Sequence, residues 1–179
     1  MKIDSLSFAY GDKIIFKDLS LDLDGKLFSL TGDSGVGKTT LLKLIGGLLV
    51  PDKGNITDAP MTPSFMFQED RLLPWINVRK NISLVTDDTE KKEELLGILD
   101  IDGDLMPSEL SGGMARRVAL IRALCYKGDA LLLDEPFNGM DEKLTDKCIE
   151  LILKEDKFTV VSAHQSEVHV KLGSQIIHL

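Results

Sequence analysis

The residues best suited to chemistry form one run, Gly32-Asp33-Ser34-Gly35-Val36-Gly37-Lys38-Thr39, which fits the pattern G-x-x-x-x-G-K-[ST]. Glycines let a backbone turn sharply and bring its N–H groups against an anion with no Cβ in the way. A lysine in this position reaches the β- and γ-phosphates of a nucleoside triphosphate, and a hydroxyl such as that of Thr39 is a hard ligand for Mg²⁺. The bland alternative is a glycine-rich turn ahead of an ordinary helix. The flanks argue against it. An apolar run, Leu27, Phe28 and Leu30, enters the loop, and a helical pattern with Leu41, Leu42, Leu44 and Ile45 on one face leaves it. Strand, loop and helix in that order are the context the motif requires, and the positive end of the helix then faces the same anion. The run predicts binding of a nucleoside triphosphate.

A second candidate is the acid pair Asp134-Glu135 at the end of the apolar run Ala130 to Leu133, followed by Pro136. In a nucleotide-binding α/β sheet, ligands sit at the carboxyl ends of the strands. One acid there can hold the Mg²⁺ shell and its neighbour can polarise an attacking water. The four-residue strand points Asp134 toward the metal and leaves the longer Glu135 for the water. A third candidate is Leu110-Ser111-Gly112-Gly113-Met114, which opens a helix carrying Val118, Ala119, Ile121 and Leu124. Two glycines after a serine read either as a helix end stripped for an anion or as a plain capping turn. His164 stands two residues beyond the β-branched strand Thr159 to Ser162, on the phosphate side of such a sheet. His169 and His178 have no such placement and read as surface or packing residues. Tyr10, at a turn, is either packed on a strand edge or an aromatic platform for a base.

The elements that must position these residues follow from periodicity. Ile3, Leu6 and Phe8 mark a first strand, and a Tyr10-Gly11-Asp12 turn leads to a run from Lys13 to Phe16. Leu19, Leu21 and Leu23 alternate as a half-buried strand, and Asp24-Gly25-Lys26 reads as a hairpin turn into the nucleotide strand. An antiparallel ribbon therefore precedes the loop. Short strands are expected at Asn55 to Thr57 and Ser64 to Phe67, the latter ending at Gln68, and a last one from Ile176. Helices are expected at 78–84, at 89–99 with Thr89 as N-cap, and from the Asn138-Gly139-Met140-Asp141 turn to about Leu153. Residues 69 to 107, with Trp75, form a helical insert between two parts of an α/β core.

Composition sets the outer bounds. The 179 residues suit a single domain, and 43% hydrophobic with 28% charged residues describe an ordinary globular protein. The best apolar stretch, Leu41 to Val50, is broken by Lys43 and two glycines, so no membrane span is expected. Met1-Lys2-Ile3-Asp4 lacks an apolar signal core, and Cys125 and Cys148 read as free thiols of a reducing cytoplasm. A net charge of −8 argues against sequence-independent nucleic-acid binding, which needs a cationic face.

From end to end the chain resembles the ATP-binding subunit of an ABC transporter. The resemblance rests on Tyr10 as the adenine-stacking aromatic, Gly32 to Thr40 as the Walker A loop, Gln68 as the Q-loop and Leu110 to Met114 as the ABC signature. It extends to Leu131 to Glu135 as Walker B, Asn138 to Asp141 as the D-loop and His164 as the switch histidine. The stretch Gln68 to Trp75 is similar to importers of the nitrate, sulfonate and taurine type. What this implies is a P-loop NTPase core with a mostly parallel sheet, an N-terminal antiparallel ribbon and a small helical insert, all within one ABC ATPase domain over residues 1–179.

It also implies ATP and Mg²⁺ as cofactors, with Glu135, His164, Gln68 and Lys38 catalytic and Thr39, Gln68 and Asp134 at the metal. Nucleotide contacts fall to Tyr10, to Gly32 through Thr40, and to Ser111, Gly112, Gly113 and Asp141. The implied partners are a second copy, in a head-to-tail dimer that clamps each ATP between one loop and the other signature, and separate membrane permease subunits. The implied location is cytoplasmic, on the inner face of the membrane through the permease. Three features depart from the family: Met114 where Gln is usual, Asn138-Gly139 where Ser-Ala is usual, which is expected to loosen the D-loop hinge, and a chain ending at its last core strand without a regulatory domain. Rival classes are a soluble ABC ATPase of the repair or ribosome-associated kind, and a P-loop kinase or GTPase. The first usually carries coiled coils or tandem cassettes, and the second leaves the signature unexplained.

Overall fold

The computed structural model describes residues 1–163 and 166–179. Two sheets share the chain. Strands β1 (Lys2–Tyr10), β2 (Lys13–Asp22) and β4 (Lys53–Thr57) form an antiparallel sheet in the order β2-β1-β4. Strands β3 (Leu27–Thr31), β5 (Pro63–Met66), β6 (Ala130–Asp134), β7 (Phe158–Ser162) and β8 (Gln175–His178) form a second sheet in the order β5-β6-β7-β3-β8. Every pairing in the second sheet is parallel. Such a sheet must be covered on both faces, and the fully buried sequence of β6 meets that demand.

Successive residues of β6 and β7 feed two different cores. Leu132 and Val160 belong to the cluster built by α1 (Lys38–Ile45) and the antiparallel sheet, with Leu41, Leu42, Phe16 and Phe8. Leu131, Leu133 and Val161 belong to the other cluster, with α4 (Gly112–Cys125), α5 (Glu142–Leu153) and α6 (Ser166–Leu172). That second cluster also takes in Val78 and Ile82 of α2 (Val78–Ser83) and Leu95 and Leu96 of α3 (Thr89–Ile98). The segment around residues 69–107 thus packs its apolar residues onto α4. Buried Asn81 shapes the approach to it: its Oδ1 accepts from Leu73 N at 2.8 Å, and its Nδ2 donates to the carbonyls of Leu73, Ile76 and Asn77. Among the described residues no helix is long and apolar enough to cross a membrane.

The expected elements are present, with four differences. Lys13–Asp22 is one strand, because Ser5 (φ 48) and Asp18 (φ 54) take left-handed conformations where the β1–β2 register shifts. These irregularities let Ile3 and Leu6, three apart, face the same core. Asp24-Gly25-Lys26 is a corner between the two sheets and not a hairpin, since β2 and β3 do not pair. The N-cap of α3 is Asp88, whose Oδ1 accepts from Lys91 N at 3.0 Å, one position before Thr89. The helix α6 was not expected.

Candidate functional site

The parallel sheet delivers the candidate residues by its carboxyl edge. β3 ends at Thr31 and opens the glycine loop; β5 ends at Met66, two residues before Gln68; β6 ends at Asp134. A cleft of about 350 Å³ joins them, lined by Tyr10, Ser34, Gly35, Gly37, Lys38, Thr39, Thr40, Gln68 and Glu135, with Lys13 and Ile15 from the antiparallel sheet. A cavity of similar size, about 330 Å³, lies among α3, α4 and α5 and contains none of them.

The loop is prepared for an anion. Helices α2, α3, α4 and α5 are each capped by a side chain, from Asn77, Asp88, Ser111 and Asp141. α1 is not: its N-cap is Gly37, with φ 118 and no side-chain bond. Its first-turn amides lack the partner every other capped helix has, and that is the electrostatics of a phosphate site. Gly37 is required there twice over. A Cβ would meet the Phe16 ring at 2.7 Å and the Ile15 side chain at 2.8 Å, and φ 118 excludes other residues. Buried Lys38 folds over the loop, its Nζ donating to Gly32 O at 2.7 Å and Asp33 O at 3.0 Å.

Asp134 does not line the cleft but is bonded to a residue that does: the Thr39 hydroxyl donates to its Oδ2 at 2.6 Å, and the Ser162 hydroxyl donates to its Oδ1 at 2.6 Å. Asp134 is 1% exposed, so both carboxylate oxygens are oriented by hydroxyls in a dry setting. Thr39, Asp134 and the amide oxygen of Gln68 are hard oxygen donors beside an anion cradle, a set that fits Mg²⁺. Glu135 leaves the strand with φ 51, a left-handed conformation that costs a non-glycine residue on the order of 1–3 kcal/mol. Its N–H donates to the carbonyl of Ser162 at 3.1 Å and is 3.0 Å from the Ser162 hydroxyl oxygen. Its Oε2 accepts from Asn138 Nδ2 at 2.5 Å. Asn138, one of the departures, therefore bears directly on the second acid.

Ser111, Gly112, Gly113 and Asp141 lie outside the cleft lining. Ser111 Oγ accepts from Met114 N at 3.2 Å and Asp141 Oδ1 accepts from Leu144 N at 2.8 Å, so both serve as helix caps within the chain. Met114 packs against the larger core. His164 lies outside the described residues. Sequence reasoning passed over two participants. Ser162 was read only as a strand end. Arg116, 4% exposed, donates to the carbonyls of Phe67, Gln68, Asp134 and Glu135. An arginine about one turn into a helix, three and four residues before apolar Ala119 and Leu120, was the available signal.

The ABC transporter family matches residues 16–138. The chain belongs to the ABC transporter family. It is 40% identical to the aliphatic sulfonates import ATP-binding protein SsuB 1 of Rhodococcus jostii, over 95% of this chain and 75% of that protein. Its fold is similar to the dimeric structure of the bacterial ABC transporter cassette MJ0796, with a TM-score of 0.86, 26% identity, and 99% and 93% of the two chains covered. The post-hydrolysis state of that cassette, a dimer bound to ADP and Pi, is similar at a TM-score of 0.83 and 26% identity, with the same coverage. The P-loop NTPase core expected from the sequence is the one observed. As an ABC ATP-binding subunit the protein is an ATPase that uses ATP and Mg²⁺, and it powers transport through separate permease subunits. These likenesses favour transport over the soluble repair or ribosome-associated reading.

Proposed function

We propose that the cleft is the MgATP site and that Glu135 is its general base. The observation that carries this reading is the 2.6 Å bond between Thr39 and Asp134 at the start of α1, which no side chain caps. Oxygen donors for a cation stand there against amides for an anion. Lys38 exchanges its loop carbonyls for the β- and γ-phosphates, and Tyr10, 47% exposed and edge-on to Phe8, stacks on the adenine. Mg²⁺, when bound, supplies charge neutralisation; Thr39 and Gln68 hold it and Asp134 fixes its shell. Glu135 orients and deprotonates the water, its carboxyl steadied by Asn138. In the head-to-tail dimer, Ser111, Gly112, Gly113 and Asp141 meet the nucleotide of the other copy. Residues 1–179 form one ABC domain with an insert at about 69–107, and the subunit docks on the inner membrane face through its permease. The likeness to a sulfonate import subunit supports an importer of small sulfonates.

The deciding experiment is Glu135→Gln, which keeps shape and hydrogen bonding but cannot accept a proton. Hydrolysis should slow by about 10²- to 10⁴-fold with ATP binding intact. With ATP and Mg²⁺ a dimer should accumulate on size exclusion. Hydrolysis at the wild-type rate would show that Glu135 is not the base.

A further inference from the structure

The parallel pairing of β5 with β6 ends at Met66 and Leu133. Immediately beyond it the chains carry Gln68 and Glu135, and one side chain spans the gap. Arg116 donates from Nη1 to Phe67 O at 2.7 Å and Gln68 O at 2.8 Å, and from Nε and Nη2 to Glu135 O at 3.0 and 2.9 Å. Nη2 also bonds Asp134 O, and Nη1 bonds Asp70 Oδ1 at 3.0 Å. Where the strands stop bonding each other, a planar five-donor fork takes over and sets their separation. The Glu135 carbonyl accepts twice from that fork, which holds the peptide next to a residue kept at φ 51. Further along α4, Arg122 donates to Arg71 O at 2.8 Å and Asp70 O at 3.2 Å, so the helix grips residues 67–71 in two places.

We propose that Arg116 is a positioning residue for ATP hydrolysis: it fixes Glu135 relative to Gln68 and ties both to the helix that Ser111 begins. The inference rests on the roles proposed above for Glu135 and Gln68. A shift of the α4 N-terminus then moves the base and the Q-loop together, through one rigid group. A lysine in the same place carries the charge for Asp70 but is a point donor and cannot bridge both strand ends.

The test compares the full-length wild type, Arg116→Lys, Glu135→Gln and the double variant. Steady-state hydrolysis, titration with a fluorescent ATP analogue and thermal denaturation are measured on each. Arg116→Lys should lower kcat about 10- to 100-fold, the range a misplacement near 1 Å produces. Nucleotide affinity should stay within about threefold, because the loop and Tyr10 are untouched. In the Glu135→Gln background the same change should cost nothing further, since a positioning residue has no effect once its target is gone. Wild-type kcat in Arg116→Lys overturns the proposal. So does an equal proportional loss in both backgrounds, or a fall in affinity that tracks a fall in melting temperature. If Arg116→Lys does not fold, Asp70→Asn, which weakens the anchoring of the fork at its half-buried edge, is judged by the same criteria. Wild-type turnover in Glu135→Gln alone would instead defeat the assignment of the base.

Discussion

Replacing Gly113 by alanine should destabilise the fold, whereas the same change at Gly112 should spare the fold and reach only the ATP-bound dimer. The two glycines open α4 side by side, yet their surroundings differ. A Cβ on Gly113 would lie 2.6 Å from the carbonyl oxygen of Gly139, while a Cβ on Gly112 would meet nothing within 4 Å. Carbon and carbonyl oxygen come no nearer than about 3.3 Å even in favourable contacts, so the D-loop backbone must yield by roughly 0.7 Å. That carbonyl belongs to a residue at φ 75 and has no flexible side chain to move aside. Overpacking of this kind costs about 1–3 kcal/mol. The gain in helix propensity from glycine to alanine is common to both variants and cancels in their difference. Gly113→Ala should therefore be less stable than Gly112→Ala by about 1–3 kcal/mol, or roughly 2–12 °C in melting temperature for a chain of this size. Paired urea titrations followed by circular dichroism read the difference. Gly112→Ala should then lose about tenfold or more of ATPase activity with a monomer at least as stable as the wild type, as its methyl intrudes on the partner's phosphate. Equal stability of the two variants would refute the contact with Gly139, and full activity in Gly112→Ala would refute the partner-facing role.

Tyr10→Ala should weaken ATP binding by about 1–3 kcal/mol in a calorimetric titration, with Tyr10→Phe nearly neutral; an alanine variant that binds normally would return Tyr10 to a packing role beside Phe8. His169 is 4% exposed, and burial, opposed only in part by the backbone of nearby Ala163, holds its pKa below the usual histidine value. The unfolded chain then binds the extra proton first, and stability present above about pH 6.5 is lost as pH falls through and below that value. Denaturant titrations from pH 7.5 to pH 5.5 (~2 pH units) should show a loss of up to about 1.4 kcal/mol per unit that His169→Phe flattens. An identical slope in both proteins would assign it elsewhere.

The phosphate half of the cleft was legible because its chemistry is local. Eight consecutive residues carry the turn, the cation and the hydroxyl, and the flanking periodicities place them. The acids were legible for a related reason: an apolar run that stops at Asp134 puts whatever follows on the sheet's carboxyl edge. What escaped is non-local or irregular. The Thr39–Asp134 bond joins residues 95 apart in sequence, and Arg116 reaches partners up to 49 away, which no spacing rule reveals. The breaks in β1 and β2 appear in the sequence only as an apolar interval of three, easily taken for the end of a strand. Asp88 and Thr89 are both good caps, and only geometry chooses between them. Helix α6 is a single short segment whose apolar face is Val168 and Leu172, too little periodicity to stand out.

Capping explains why the serine–glycine segment admitted two readings from sequence and why the chain needs both. Ser111 satisfies Met114 N within its own chain, so the start of α4 is stable with no ligand, unlike the open start of α1. Yet Ser111 and Gly112 remain exposed, and Gly112 has nothing packed over it. Asp141 likewise caps α5 and stays exposed. None of the three lines the cleft that holds Lys38, Thr39 and Glu135. For them to touch a nucleotide, as proposed above, that nucleotide must sit in another copy, and about a two-fold axis each copy would lend its α4 start to the other's cleft. Glycine at 139 bears on this directly. Its carbonyl lies where a Cβ on Gly113 would stand, so the 138–141 turn and the start of α4 form a single backbone surface, anchored behind by Arg116 to the strand ends of the cleft.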